Sequence, residues 1–344
     1  MRLVTLRFLG NIFFACKLLI TMNNLFAHGY AVIIGVGADL PVTVKDATAI
    51  ANLLCDPTRC AYPIEQVQLL TDEKARRRDI LAALDTLAEQ TSKDSDATAI
   101  VYFSGHGLAV PDAHLMPFGY NLADLSSTAI SGDLFTEKLR AIRAKKLLIL
   151  LDCCYAARQA DAKAPTIPPT VIAQLTQSSG RVVIASSRTD EVSYTGNPYS
   201  VFTSALLEGF AGYGAFEQDG LARVMDIALY VGRMVPERTQ DKQHPIIKVA
   251  NLEDNFALAY YAAGATPIKK LDWSFQAPST LRDPNTPQIA TWRQMLANKR
   301  ESLLLIEERI SEYVIYQDVP LQLIKAKRQT EQEITELEQK IKFH

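Results

Sequence analysis

The sequence predicts an α/β domain, a mostly parallel sheet of six strands covered by helices on both faces, followed by a C-terminal helical hairpin. Three observations predict it. Short, nearly continuous apolar runs alternate with helix-like segments, as expected when a parallel sheet is buried on both faces. Two of those runs end abruptly in chemistry-bearing residues, at the carboxyl ends where open sheets collect function. Beyond about residue 262 the pattern lapses, then resumes as two highly charged helical stretches. A hydrophobic share of 48% is enough for a packed core, and a net charge of −2 argues against a general nucleic-acid-binding surface.

Residues 1–27 form an N-terminal extension. Arg2 and Arg7 precede an apolar stretch, as in a secretion signal, but Lys17 interrupts it. No clean membrane span results. Met22 offers an alternative start, which would make the preceding residues a mis-assigned leader. The first strand is YAVIIGV at 30–36, rich in β-branched residues. DATAIANLL, from Asp46, has helical spacing, and VQLLTD at 67–72 is the second strand. An amphipathic helix over 73–90 follows, capped by Thr71 or Asp72. The third strand spans 97–107, a helix 132–143, the fourth strand 145–154 and the fifth 180–187. Helices over 201–212 and 220–235 lead to a last short strand at 244–249. Residues 263–288, rich in proline and polar residues, read as a linker. Residues 289–344 read as a helical hairpin, broken by Asp318-Val319-Pro320, with an apolar seam that pairs with itself, the main domain or a partner.

The third strand ends in Ser104-Gly105-His106-Gly107 and the fourth in Asp152-Cys153-Cys154. If these strands are neighbours, a histidine and a thiol meet. Such a dyad needs a base near the sulfur, donors for a developing oxyanion, and access for substrate. Glycines beside the histidine would let a substrate carbonyl approach, and the N–H groups of Gly107 and Cys154 are the oxyanion donors expected here. The five cysteines show no paired CxxC zinc spacing, and the adjacent pair cannot readily bridge. This usage suits a reducing, cytoplasmic setting. Gly35-Val36-Gly37 lacks the rest of a phosphate loop, which weighs against a nucleotide- or flavin-binding open sheet.

VYFSGHG followed by LLILLDCCYA resembles the caspase-type cysteine peptidases (clan CD, C14-like), most closely their bacterial metacaspase and orthocaspase branch. The resemblance spans roughly residues 28–262 and implies a caspase-like α/β/α sandwich. It implies a cysteine endopeptidase with His106 as base and Cys154, in D-x-C, as nucleophile, leaving Cys153 to packing. It implies that Asp46, Ser104 and Asp152 line the pocket for the residue before the cut bond (S1). Two carboxylates there would select arginine, then lysine, and reject aspartate. Tyr155-Ala156-Ala157 departs from the His-Ser-Gly that often follows the nucleophile in metacaspases. Of the calcium ligands many of those enzymes carry, Asp133 and Asp161 match. Gly132 and Asn121 stand where further acids would be expected, so no cofactor is expected, with calcium as the less favoured alternative. ARQADAKAPTIPPT offers Arg158 and Lys163 for self-cleavage of a zymogen. The C-terminal helices are similar to short modules on bacterial immune-like effectors, implying recruitment of an activating protein in a defence or cell-death-like pathway. The expected substrates are proteins or peptides with a basic residue at the cut. The alternative is a catalytically silent caspase-fold scaffold that acts only through those helices.

Overall fold

The computed structural model describes residues 26–108, 113–154, 180–188, 191–217, 219–250, 252–261, 271–277, 287–311 and 319–343. The strands are β1 (Gly29–Gly35), β2 (Val67–Thr71), β3 (Thr98–Leu108), β4 (His114–Leu115), β5 (Ile130–Ser131), β6 (Lys146–Cys154), β7 (Arg181–Ala185), β8 (Leu221–Arg223), β9 (Ile246–Ala250) and β10 (Ala257–Tyr260). The helices are α1 (Pro41–Cys55), α2 (Arg77–Ser92), α3 (Leu125–Thr128), α4 (Gly132–Ala141), α5 (Val201–Phe210), α6 (Val224–Arg238), α7 (Pro287–Ser311) and α8 (Leu321–Phe343).

The main sheet runs in the order β2-β1-β3-β6-β7-β9. Its first five strands are parallel and β9 closes the edge antiparallel. The mostly parallel sheet read from the sequence is therefore present, and two strands beyond the six expected, β4 and β5, extend it from the end of β3. From β1 the chain first builds outward to β2, then returns to place β3 on the other side of β1. That reversal opens a crevice at the carboxyl ends of β1 and β3, the place where open sheets bind ligands. Alternation along the strands divides the core. Ile33, Tyr102, Leu150 and Ile184 meet α1, α5 and α6 on one face. Ile34, Phe103, Leu151 and Val183 meet α2 and α4 on the other.

Several boundaries differ from the sequence reading. Helix α1 starts at Pro41, whose fixed φ suits the first turn, so Asp46 lies a full turn inside and not at its start. The expected helix over 73–90 is split. Asp72–Ala75 is a 3₁₀ turn, the chain extends at Arg76 (φ −72°, ψ 154°), and α2 begins after it. Arg76 occupies the cap position without a side-chain bond, so neither Thr71 nor Asp72 caps α2. The expected helix over 220–235 yields its first residues to β8, which pairs antiparallel with β10. Helix α6 then runs through Pro236 to Arg238.

By internal contacts the chain divides after Ala277. Residues 271–277, inside the stretch read as a linker, pack on the first unit. Trp273 meets Tyr199 edge-on at 5.1 Å, and Asn197 and Gln276 form a β-bridge. The second unit pairs α7 with α8 through Lys299–Glu333 (2.5 Å), Arg300–Glu338 (2.7 Å) and Lys327–Glu307 (2.7 Å). No helix among the described residues is long and apolar enough to cross a membrane.

Candidate active site

The parallel register of β3 and β6 pairs Tyr102 with Leu150, Ser104 with Asp152, Gly105 with Cys153, and His106 with Cys154. The two strand ends singled out in the sequence are thus direct neighbours, in register. Side chains alternate between faces along a strand. Cys153 is buried in the core on the α2–α4 face, only 5% exposed. Position 154 continues the Tyr102, Ser104 and Asp152 row on the opposite face. A Cβ on Gly105 would stand 2.6 Å from Val36 Cγ2, so close packing alone already requires a glycine there.

His106 is held from two directions. Its carbonyl accepts from Met116 N at 3.0 Å, and its Nε2 lies 2.9 Å from Asp39 Oδ2. Asp39 sits in the tight loop between β1 and α1, beside Ala38 at φ 56° and Gly37 at φ 73°. The main-chain groups of Ser104 and His106 face β1 and β4, because their carbonyls accept from Val36 and Met116. In an extended strand the intervening residues face the other edge. The N–H of Gly107 therefore faces the β6 side, where that strand ends at Cys154.

Asp46, Ser104 and Asp152 line one narrow cleft of ≈ 40 Å³, together with Thr43, Ser193 and Ser200. Such a volume admits a group of about three water-sized volumes. Asp152 Oδ2 accepts from Ser200 Oγ (2.5 Å) and Thr203 Oγ1 (3.0 Å), and its Oδ1 from Ser193 Oγ (2.9 Å). Asp46 Oδ1 accepts from Ser200 N at 3.0 Å, but among the described residues its buried Oδ2 has no hydrogen-bond partner. Burial first, then the Asp152 charge, pushes the Asp46 carboxyl well above the usual carboxylate range. Burial raises Asp152 too, against hydroxyl bonds from Ser200, Ser193 and Thr203 that pull it down. Two interacting buried carboxyls do not readily both ionise, and an unpartnered acceptor on one of them favours a cationic donor.

Gln243 fastens the loop that supplies these hydroxyls. Its Oε1 accepts from Tyr194 N at 2.9 Å, and its Nε2 donates to the Ser186 carbonyl at 2.8 Å. Sequence reading missed Asp39, Ser193, Ser200, Thr203 and Gln243. Only the serines carried a signal, in the turn-rich run VSYTGNPYS between strand and helix. Of the remaining candidates, Asp133 lies in the first turn of α4, and Asn121 Oδ1 accepts from Ala123 N at 3.0 Å. Among the described residues no three His, Cys, Asp or Glu side chains gather as a metal site. Arg158, Asp161 and Lys163 lie outside the described residues.

This fold and this pair of strand ends define a class: an open α/β sheet with a histidine and a cysteine at neighbouring carboxyl ends, above an acidic cleft. A family model of the caspase domain, peptidase C14, matches residues 28–257. The chain belongs to this caspase-domain family of cysteine peptidases. A comparison with curated proteins finds no match. Among solved structures, the chain is similar to a structural-genomics target from Geobacter sulfurreducens, with a TM-score of 0.45 and 16% identity over 66% of this chain and 94% of that one. It is also similar to a secreted C11 cysteine protease from Bacteroides thetaiotaomicron, solved with an irreversible peptide inhibitor. There the TM-score is 0.33, with 14% identity over 62% of this chain and 59% of that one.

Proposed function

We propose that the chain is a cytoplasmic cysteine endopeptidase of metacaspase type that cleaves after arginine, then lysine. The observation that carries this reading is the orphaned Asp46 Oδ2, buried beside Asp152 in the cleft whose Ser104–Asp152 pair stands two register positions before His106–Cys154. A guanidinium supplies the donors that this oxygen lacks and the positive charge that both acids favour. An aspartate side chain would add a third negative charge there.

In the proposed reaction the Cys154 thiolate attacks the scissile carbonyl carbon. The N–H groups of Gly107 and Cys154 hold the oxyanion. The C–N bond then breaks, His106 protonates the leaving amine, and a thioester remains. Water, deprotonated by His106, cleaves the thioester and restores the thiol. Asp39 is a positioning residue that holds the imidazole by Nε2 and so fixes which nitrogen is free for the sulfur. The chain cuts itself at Arg158 or Lys163, and an activating protein engages the C-terminal helices in a defence or cell-death-like pathway.

The test gives fluorogenic peptides ending in Arg, Lys, Asp or Leu to the parent, Cys154→Ala and Asp39→Asn proteins, with calcium or chelator, and follows intact mass. The parent should cleave after Arg and Lys alone, and Cys154→Ala should cleave nothing. Asp39→Asn should turn over more slowly at unchanged KM. A parent that matches Cys154→Ala on every peptide would instead support the silent scaffold.

A further inference from the structure

The loop over 191–200 carries Ser193 and Ser200, the hydroxyls that set Asp152 in the S1 cleft. It has almost no regular structure, so its position depends on what holds it. Its two ends are fastened inward, by Gln243 at Tyr194 and by Asp46 at Ser200. Its middle is held from outside. Gln276 N donates to the Asn197 carbonyl at 2.9 Å, Asn197 N donates back at 3.3 Å, and Asn197 Nδ2 donates to Gln276 Oε1 at 2.8 Å.

Phe275 presses on the same point. A Cβ on Gly196 would stand 2.8 Å from Phe275 Cε2 and 2.7 Å from the Tyr199 carbonyl oxygen, so the ring rests on bare backbone. The Arg238 guanidinium lies over that ring, 4.4 Å from its centroid, and is paired with Glu208 Oε1 and Oε2 at 2.8 and 2.7 Å. That ion pair is anchored between α5 and α6. Trp273 adds an edge-on contact to Tyr199, the residue before Ser200 by one step. Five contacts from residues 273–276 therefore converge on residues 196–199 of the loop that carries Ser193 and Ser200.

We propose that residues 271–277 are a positioning strap for the S1 pocket, with Phe275 and Gln276 as its working residues. They lie outside the matched caspase domain, which ends at residue 257. The strap fixes how closely Ser193 and Ser200 approach Asp152, and through them the fit of a basic side chain. The proposal rests on the reading of Asp46 and Asp152 as the S1 acids.

The experiment uses the full chain. Phe275→Ala removes the ring and Gln276→Pro removes the N–H that reaches Asn197. Phe275→Tyr is the conservative control. Measured are kcat and KM for peptides ending in Arg and in Lys, binding of N-acetyl-arginine amide, the melting temperature, and the rate of Cys154 alkylation by iodoacetamide. The two disruptive variants should raise KM and weaken amide binding about tenfold, with kcat and alkylation within about twofold of the parent. Their preference for Arg over Lys should narrow, and Phe275→Tyr should keep the parental KM. Parental KM and amide affinity in both disruptive variants would overturn the strap alone. Losses that track kcat, alkylation and melting together would reduce it to ordinary structural support and also overturn it. A parent that neither cleaves the peptides nor binds the amide would remove the S1 reading, and the strap's role with it.

Discussion

Asp46 sits where a stability-minded sequence would place an amide. Its Oδ1 is satisfied, its Oδ2 is not, and burial with Asp152 nearby raises its affinity for a proton. Both acids hold protons more tightly in the folded chain than in the unfolded one. Stability from this pair is therefore fully present below the ordinary carboxylate range and is lost as pH rises through the raised folded values. Binding of a cation runs the opposite way, because it favours the ionised acids. For peptides ending in Arg, KM should fall as pH rises above the ordinary carboxylate range, which steady-state kinetics across pH would show. Asp46→Asn should abolish Arg cleavage. It should also raise the melting temperature at neutral pH by about 2–4 °C, or roughly 1 kcal/mol. A variant that melts lower and still cleaves would contradict the role given to this carboxyl. Asp46 and Asp152 were legible because a motif resemblance fixed their positions. Asp39 was not, since nothing in a loop sequence shows that its carboxylate reaches a histidine 67 positions away.

At the scale of the element, strand alternation assigns the two adjacent thiols. Cys153 faces the α2–α4 core, whereas position 154 stands in the Ser104–Asp152 row. Cys153→Ala should cost about 1–2 kcal/mol by chemical denaturation and leave peptide cleavage intact. Cys154→Ala should reverse that pattern, with cleavage lost and stability kept. The strands were legible because apolar runs buried on both faces stand out from everything around them. What failed was local. The pattern of GLARVMDI continues a helical period through Leu221 and Ala222, yet those residues pair with Tyr260 and Ala259 of β10, 39 and 37 positions on. Pairing at such separation leaves no trace in a short window. The extended backbone at Arg76 is similar: three consecutive arginines favour a helix by propensity, and the 3₁₀ turn before them overrides it.

For the whole molecule, the separation after Ala277 has a direct test. A chain ending at Ala277 should keep the cooperative melting transition of the first unit, and one ending before Leu271 should lose part of it, with Trp273 and Phe275 gone. Equal melting of the two would show that residues 271–277 contribute nothing to that unit. The change of character near residue 262 was visible as composition. The return of Trp273, Phe275 and Gln276 to the loop at residues 196–199 was not, because two isolated aromatics in a proline-rich stretch carry no period. One consequence of the orphaned Asp46 oxygen concerns handling. Any small guanidinium compound that fills the cleft protects the domain by mass action, in proportion to the logarithm of its concentration. Preparations kept in arginine-rich buffer would then be the most durable on the bench and the quietest in an assay, and dialysis alone would wake them.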